Sequence, residues 1–327
     1  MKKLAERKPD LSIIILNYNS GDFLKKCLES IGKVKKNGFE YEVIVVDNNS
    51  SDKSLKYLRS LELKGYRNIG ENKKPKFLNF YNSIPLKIIF NKKNLGFAVG
   101  NNVGIKKARG RYVLFLNPDT IVMPNTFREM IRFMDNHPQA GAATCRVELP
   151  SGKLDEACHR GFPTPWNAFC HFLGLEKLFP KSRIFAGYTL GWKSLDKIHE
   201  IDSGTGSFLI VRRGVGDKLN WWDEDYFWYG EDLDFCYRIK KAGWKIYYVP
   251  KVKIIHYKGV SSGIRKESQK IAKANKETKI KAIKASTQVM RIFYKKHYFD
   301  KYPRFLTWLV LKGIDILEKI RLKKLSI

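Results

Sequence analysis

Cysteine is scarce in this sequence, and its N-terminal end lacks a long apolar run. The 327 residues include five cysteines, an odd number, and no two of them form a Cys-x-x-Cys pair. Neither a disulfide framework nor a structural zinc site is therefore indicated. Residues 1–10 are highly charged, and no apolar core of signal-peptide length comes before residue 11. We expect a protein that is not exported and that works in a reducing cytoplasm.

Acidic residues are also scarce relative to basic ones. Lys and Arg total 62 against 32 Asp and Glu, which gives a net charge of +30. The excess is concentrated towards the C-terminal end, where residues 251–327 hold 21 Lys and Arg but only 5 Asp and Glu. A segment of this charge favours an anionic partner, and a membrane surface is the one we expect.

Apolar segments alternate with helix-like segments through the first half of the chain. Strands are predicted at 11–16, 41–46, 86–90 and 112–116, and helices at 22–31, 51–61 and 97–108. This alternation indicates stacked βαβ units, and strands rich in Ile and Val are typical of a sheet covered on both faces. The predicted fold class is therefore α/β, with a mostly parallel central sheet between helices.

Polar residues follow three of these strands, at 17–20, 47–50 and 117–119. In open parallel sheets the ligand crevice lies outside the carboxyl ends of the strands, so we expect these loops to line one pocket. Residues 64–83, rich in Lys and Asn, interrupt the pattern and are interpreted as an inserted surface loop. From about residue 261 the chain is basic and has a helical pattern.

Two aspartates and a histidine stand at the ends of predicted strands. Asp47 and Asp119 follow two apolar strands, and His256 follows a third. Carboxylate oxygen and imidazole nitrogen are suitable ligands for Mg²⁺ or Mn²⁺, and a cation held there would neutralise a diphosphate leaving group. A plainer interpretation of Asp119 is that it caps the helix beginning near Asn125.

A group of carboxylates and aromatic residues occupies positions 228–232. Glu231 and Asp232 open a predicted helix at 231–242, directly after Trp228 and Tyr229. Negative charge stabilises any helix N-terminus, so a purely structural role would account for the two carboxylates alone. Aromatic rings beside a carboxylate are also what a sugar subsite requires, because the rings stack on sugar C–H groups while the carboxylate accepts a hydroxyl proton. The neighbouring aromatic residues are interpreted as core: Trp221, Trp222 and Phe227.

Four blocks of this sequence, taken together, resemble the inverting family-2 glycosyltransferases of the GT-A fold, and within them most closely the bacterial rhamnosyltransferases. The blocks are residues 11–31, 43–50, 94–120 and 222–262, and they stand in the family's order and spacing. The resemblance implies a GT-A catalytic domain at 1–262, with a nucleotide-sugar half at about 1–120 and an acceptor half at about 121–262. A basic helical tail would follow at 263–327.

The resemblance also implies roles for individual residues. Asp232 matches the general base, and Asp119 and His256 match ligands of a Mg²⁺ or Mn²⁺ ion. The residues that match the family's contacts with the nucleotide-sugar donor are Asn17, Tyr18, Asp47, Asn94, Gly96, Asn101 and Asn117. The residues that we place at the acceptor are Trp228, Tyr229 and Glu231.

One departure from the family pattern concerns its Asp-x-Asp motif, whose first position is Asn117 here. In the family this position lies near the ribose and the metal, and a neutral amide there suits a deoxyribose donor such as dTDP-rhamnose. The expected function is transfer of rhamnose from dTDP-rhamnose to a lipid-linked saccharide or a growing cell-surface polysaccharide. A UDP-hexose donor is the alternative within the family.

A function without catalysis is the alternative from another class. The charge of +30 would suit a basic nucleic-acid-binding protein or a membrane-surface scaffold. The predicted cleft, however, holds carboxylates that would repel a phosphate chain: Asp47, Asp119, Glu231, Asp232 and Asp234. We therefore expect an enzyme with no nucleic acid partner.

The C-terminal segment is predicted to form an amphipathic helix on the cytoplasmic face of the cell membrane. Its longest uncharged run, residues 305–311, is seven residues long, far short of the roughly 20 needed to cross a bilayer. A helical projection gives one apolar face, which consists of Leu306, Leu309, Val310, Leu317 and Ile320. Lys312, Asp315 and Lys319 lie opposite. The alternative is that the apolar face packs on the catalytic domain.

Overall fold

The structure is a computed structural model that describes residues 8–34, 38–63, 85–259 and 275–326. The loop predicted at 64–83 and the predicted domain boundary at 262 lie outside the described residues. The described strands form one mixed, nine-stranded sheet. They are β1 (Leu11–Asn17), β2 (Tyr41–Asp47), β3 (Leu86–Phe90), β4 (Tyr112–Leu116), β5 (Thr120–Val122), β6 (Ala140–Glu148), β7 (His199–Ile201), β8 (Phe208–Arg212) and β9 (Lys245–His256).

The strand order is β3-β2-β1-β4-β8-β6-β9-β5, and β7 pairs with β9. Strands β1 to β4 are mutually parallel, whereas β8 runs antiparallel to both β4 and β6. All residues of β2 and of β4 are buried, so both faces of the sheet are covered at its centre. The predicted α/β fold class is confirmed, and β1 and β2 each extend one residue beyond their predicted ends.

Helices connect and flank the strands. They are α1 (Phe23–Gly32), α2 (Lys53–Leu63), α3 (Gly96–Ile105), α4 (Thr126–Asn136), α5 (Pro165–Phe172), α6 (Leu175–Leu178), α7 (Arg213–Lys218), α8 (Glu231–Lys241), α9 (Lys276–His297) and α10 (Arg304–Ser326). The first three and α8 lie within two or three residues of their predicted bounds at either end. The described helices therefore follow the periodicity of the sequence closely.

Strand β6 is an element that the sequence did not indicate. Its first residues are small, and all of those between Ala140 and Cys145 are buried. A Cβ atom at Gly141 would lie 2.7 Å from Cβ of Trp244 and 3.0 Å from Cγ2 of Ile239. The small residues let β6 lie close under helix α8 and strand β9, so this strand lacks the bulky branched side chains by which buried strands are recognised.

The two C-terminal helices, α9 and α10, form an antiparallel pair that packs on helix α8. A buried cluster joins Tyr237 of α8 to Phe293 and Tyr294 of α9 and to Tyr298. His297 Nε2 lies 2.7 Å from the fully buried carboxylate of Asp234. Helix α9 is thus anchored to the helix that begins with the two predicted site carboxylates.

Helix α10 packs on α9 through a face that includes only part of the predicted apolar face. Leu306, Val310 and Leu317 are partly buried and Ile314 is buried, while Leu309 is 42% exposed. The apolar residues on the outer face are Phe305, Trp308, Leu309, Ile316 and Ile320. The predicted apolar face is therefore divided, with Leu306, Val310 and Leu317 partly buried and Leu309 and Ile320 exposed. Among the described helices, none is long and apolar enough to cross a membrane.

Candidate active site

The first two strands end side by side and place Asn17 opposite Asp47. The Asn17 amide nitrogen donates to Asp47 Oδ1 at 2.7 Å and to the Ser54 hydroxyl at 2.9 Å. Asp47 Oδ2 accepts from the Ser50 backbone N–H at 3.0 Å. Both predicted residues are buried, so they hold the shape of the two loops, whereas the ring of Tyr18 is 39% exposed and faces solvent between them.

A second polar loop, with Asn94 and Gly96, lies against the end of β2. Asn48 joins the two, because its amide nitrogen donates to Asn94 Oδ1 at 2.8 Å and to the Gly96 carbonyl at 3.1 Å. Gly96 has φ of +79°, and a Cβ atom there would lie 2.6 Å from the Phe227 carbonyl oxygen. The buried Asn101 donates to the Phe97 carbonyl inside α3. This loop is therefore fixed by side-chain amides, of which Asn48 was not singled out from the sequence.

Strands β5 and β9 bring three predicted residues together. Their pairing sets Thr120 opposite His256, and it places Asp119 Oδ1 3.2 Å from His256 Nε2. The Asn117 amide nitrogen lies 3.4 Å from the same Nε2. We call Asn117, Asp119 and His256 the Asn-Asp-His cluster. Both Asp119 and His256 are buried.

Asp155 is the partner of His256 that the sequence did not reveal. Its Oδ2 lies 3.1 Å from His256 Nδ1, and its other oxygen pairs with Lys258. Burial alone would lower the pKa of His256, but the carboxylates of Asp119 and Asp155 outweigh it and raise this pKa to about 9. Burial likewise opposes ionisation of Asp155, yet His256 and Lys258 hold its pKa well below the usual range. Asp155 therefore fixes the orientation of the imidazole.

The donor chemistry of Asp119 and His256 fits a divalent cation. A metal-binding histidine commonly donates its other ring N–H to a carboxylate, as Nδ1 of His256 does to Asp155. Adjacent ligands of an octahedral ion, with bonds of about 2.1 Å, lie about 3 Å apart, and Asp119 Oδ1 and His256 Nε2 are 3.2 Å apart. A bound ion would displace the proton from Nε2.

Protein side chains alone do not complete a metal site here. Within the described ranges of the chain, no group of three or more His, Cys, Asp and Glu side chains is placed to hold an ion. An ion at Asp119 and His256 would therefore take its remaining ligands from a bound substrate or from water.

The predicted base, Asp232, stands in the first turn of α8 and pairs with an arginine. Arg160 Nη2 donates to Asp232 Oδ2 at 2.8 Å and to the Gly204 carbonyl at 3.2 Å. The backbone N–H of Gly206 lies 3.4 Å from the same Oδ2, and that of Leu233 donates to Oδ1 at 2.8 Å. A carboxylate has about four acceptor positions. The described residues fill three of them, so one position remains for the hydroxyl of a substrate.

Two adjacent residues connect Asp232 to the Asn-Asp-His cluster. Gly206 N–H points at Asp232 Oδ2, and the Ser207 carbonyl accepts from the Asn117 backbone N–H at 3.1 Å. A Cβ atom at Gly206 would lie 2.9 Å from the ring of Phe97. The turn before β8 therefore contacts the predicted base through Gly206 and the segment that carries the cluster through Ser207.

Glu231, the neighbour of Asp232, is buried, and its Oε2 has no hydrogen-bond partner among the described residues. Burial and the adjacent charge of Asp232 raise the pKa of Glu231 above that of an ordinary glutamate. Gly230, just before it, has φ of +79°, and a Cβ atom there would lie 2.0 Å from Val289 Cγ1 of α9. The turn that carries the two carboxylates therefore packs closely against helix α9.

The aromatic residues before this turn divide into two groups. Trp221 and Trp222 are buried as predicted, but Phe227 is 58% exposed, so its predicted place in the core was wrong. Phe227 covers Gly96 instead, and its carbonyl accepts from the Phe97 N–H at 3.0 Å. The rings of Trp228 and Tyr229 stack on each other, 4.8 Å apart and 15° from parallel. Tyr229 is 38% exposed.

Polar loops at the carboxyl ends of parallel strands, joined through a short turn to a carboxylate that opens a helix, define a GT-A-like nucleotide-sugar transferase fold. The chain belongs to the family described as glycosyl transferase family 2, whose model matches residues 12–194, more than half of the sequence. The matched range includes Asn17, Asp47 and Asp119, whereas Asp232 and His256 lie beyond it.

Two curated relatives are rhamnosyltransferases by name. Rhamnosyltransferase WbbL of Escherichia coli K12 is 27% identical over 254 residues, which cover 75% of this chain and 82% of that protein. N-acetylglucosaminyl-diphospho-decaprenol L-rhamnosyltransferase of Mycobacterium tuberculosis is 29% identical over 183 residues, or 52% of this chain and 54% of that protein. The second match therefore spans about half of the relative's length.

A solved structure shows the same fold. Mannosyltransferase PcManGT from Pyrobaculum calidifontis, in complex with GDP-Man and Mn²⁺, superimposes with a TM-score of 0.53 at 14% identity. The superposition covers 97% of this chain and 88% of that one. At this identity the likeness concerns the fold alone.

Proposed function

We propose that this protein is an inverting, metal-dependent glycosyltransferase that moves rhamnose from dTDP-rhamnose to a lipid-linked saccharide or a growing cell-surface polysaccharide. The observation that carries the proposal is the short connection from Asp232 through Gly206 and Ser207 to Asn117. This connection links the carboxylate that we propose as the proton acceptor to the residues that we propose as metal ligands. Two relatives named rhamnosyltransferases support the choice of sugar.

Asp232 is the group we assign to the acceptor hydroxyl. Its side chain is 15% exposed, and its remaining acceptor position is open to a hydroxyl in the cleft. The acceptor proton passes to Asp232 as the hydroxyl oxygen forms a bond to the anomeric carbon. The bond from that carbon to the diphosphate oxygen breaks on the opposite face, so a single displacement inverts the anomer.

Asp119 and His256 are the residues we assign to the metal. A divalent ion bound there supplies positive charge that offsets the charge developing on the departing diphosphate. Asp155 keeps His256 Nε2 directed at Asp119. Mg²⁺ and Mn²⁺ both suit this oxygen and nitrogen donor set.

Asn117 is the residue that favours a deoxyribose donor. Its amide nitrogen contacts His256 Nε2 at 3.4 Å, and its neutral side chain adds no negative charge to the cluster. We place the nucleotide at the loops of Asn17, Asp47 and Asn94, where the Tyr18 ring is exposed for stacking on the base. A UDP-hexose donor remains the second candidate within this function.

The lipid-linked acceptor places the enzyme on the cytoplasmic face of the cell membrane. One relative is named for a diphospho-decaprenol-linked substrate. The outer face of α10 supports this location, since Phe305, Trp308 and Ile316 are 71%, 56% and 57% exposed. Lys312 and Lys319 are exposed on the same helix, and apolar residues with interspersed lysines are typical of a helix that binds an anionic leaflet.

A donor screen tests the proposed function. We expect dTDP-rhamnose with Mn²⁺ to raise the unfolding midpoint more than UDP-glucose, UDP-galactose or GDP-mannose does, because only a bound donor stabilises the folded state. The product of transfer to a lipid-linked N-acetylglucosamine acceptor is then identified by mass spectrometry. A UDP-hexose with a higher kcat/KM than dTDP-rhamnose would replace the proposed donor by the second candidate.

A further inference from the structure

A second exposed apolar surface lies on helices α5 and α6, far along the chain from α10. Its residues are 48–70% exposed, and they are Trp166, Phe169, Phe172, Leu173, Leu178 and Phe179. We call this group the α5–α6 surface. Contiguous apolar patches of this kind are uncommon on soluble monomers and mark places where a partner or a membrane binds.

The α5–α6 surface is held in shape by its own contacts. The Trp166 indole N–H donates to the Ile184 carbonyl at 2.8 Å, and the Trp166 and Phe169 rings stack with centroids 5.7 Å apart. Glu176 of α6 lies 2.7 Å from His171 of α5, which ties the two helices together. The aromatic side chains are thus presented outward by a fixed support.

The charge around this surface is positive. Between residues 160 and 193 the sequence has a single acidic residue, Glu176, and that residue is buried against His171. Lys177, Lys181 and Arg183 are all exposed. An anionic surface is therefore the complementary partner, whereas a second copy of this basic chain would be repelled.

The segment that leads into α5 also touches both the predicted base and the C-terminal helices. Arg160 pairs with Asp232. Phe162 lies 5.0 Å from the Tyr237 ring and packs on the same cluster as Val310 of α10. The segment before α5 and helix α10 therefore pack on the same buried cluster, and the same segment contacts Asp232.

We propose that the α5–α6 surface docks on an anionic membrane, with its aromatic residues in the interface, and that this holds Asp232 at the level of a lipid-linked acceptor. The inference rests on the proposed function for the nature of the acceptor. It adds a membrane contact that is separate from α10 and lies next to the base. Apolar insertion and the attraction of lysines to acidic lipids act together at such a contact.

Vesicle binding by the full chain tests the proposal. The variant is Phe169→Ser with Leu178→Ser, and the control is Leu63→Ser with Ile198→Ser, two apolar residues that are exposed elsewhere. With vesicles of phosphatidylglycerol and phosphatidylcholine, we expect the partition coefficient to fall about tenfold or more in the variant. The control should bind as the wild type does. Equal binding by variant and wild type would overturn the proposal.

Fluorescence quenching provides a second measurement that does not depend on weakened binding. Trp166→Phe keeps the surface apolar but removes its indole. At equal amounts of bound protein, we expect brominated lipid to quench the tryptophan fluorescence of the wild type more than that of Trp166→Phe. Trp308→Phe should also show less quenching than the wild type, independently of Trp166. Unchanged quenching in Trp166→Phe would mean that the α5–α6 surface stays out of the bilayer.

Two further results separate this proposal from its alternatives. If light scattering shows a wild-type dimer that Phe169→Ser with Leu178→Ser converts to a monomer, the surface is an interface between copies and the proposal is wrong. Donor binding, measured without vesicles by thermal shift with dTDP-rhamnose, should be the same in variant and wild type. A wild type that binds vesicles through this surface but binds no nucleotide sugar would refute the proposed function and leave the membrane contact standing.

Discussion

Replacing Asp232 by Asn should remove most of the transfer activity, whereas Asp234→Asn should cost more stability and less activity than Asp232→Asn does. Both aspartates lie in the first turn of α8, and each pairs with an arginine, at 2.8 Å for Asp232 and 2.7 Å for Asp234. Asp234 is fully buried and also contacts His297 of α9. The two variants are therefore matched in chemistry and position but differ in their predicted role.

The magnitudes follow from these contacts. An amide cannot accept the acceptor proton as a carboxylate does, so kcat for Asp232→Asn should fall about 10²–10⁴-fold, or about 3–5 kcal/mol of barrier. Its free energy of unfolding should fall by about 1–3 kcal/mol, because one charged hydrogen bond is lost while Arg160 keeps the Gly204 carbonyl. Asp234→Asn leaves the Arg238 guanidinium facing a buried neutral amide, and its expected loss of stability is about 3–5 kcal/mol.

The assay measures kcat by release of the nucleoside diphosphate at a temperature where both variants are folded, with unfolding in urea followed by circular dichroism. Donor binding by calorimetry should be close to wild type for Asp232→Asn, since the residues that we propose for the donor lie in other loops. If Asp232→Asn keeps more than about a tenth of the wild-type kcat, Asp232 is not the base. Equal losses of kcat in the two folded variants would show that Asp232, like Asp234, affects activity only by maintaining the structure of the turn.

Three further outcomes are expected. Asp119→Ala should abolish the gain in donor affinity that Mn²⁺ gives the wild type in calorimetry, and wild-type affinity that is unaffected by EDTA would contradict metal dependence. Asp155→Asn should weaken Mn²⁺ binding in the presence of donor about 10–100-fold, because His256 loses the carboxylate that orients it. Unchanged Mn²⁺ affinity would show that Asp155 does not orient His256 for metal binding. Burial and the charge of Asp232 raise the pKa of Glu231, so the folded state retains a proton that the unfolded chain releases, and stability should fall as pH rises through this raised pKa. Glu231→Gln should flatten that decline in urea unfolding between pH 5 and pH 9, and an unaltered slope would argue against a raised pKa.

The local hydrophobic pattern of the sequence was sufficient to predict the strands and helices whose character depends on residues nearby in the chain. Strands β1, β2 and β4 are rich in Ile, Val and Leu, which is typical of strands covered on both faces, and this composition is visible in the sequence. The meeting of Asn17 and Asp47 also follows, since parallel strands of equal length end together. Strand β6 was missed because its small residues serve the close approach of Trp244, a contact between distant segments.

The partners of the site residues could not be predicted, because they come from distant segments without a motif. Asp155 lies 101 residues from His256 in sequence, and Arg160 lies 72 from Asp232. The division of the apolar face of α10 could not be predicted for a similar reason. Its periodicity shows two apolar stripes, and only the position of α9 determines that Leu306 is covered while Leu309 is left outside.

The contact of α9 with Gly230 has a consequence for experiments that shorten the chain. A protein ending before α9 would lose Val289 from the turn that carries Asp232, and it would leave the buried Asp234 without His297. The ring of Tyr237 would also become exposed to water. We expect such a truncation to inactivate the enzyme in solution as well as on vesicles. Helix α9 therefore holds in place the turn that carries the proposed base, and we expect a shortened enzyme to retain catalysis only if it includes α9.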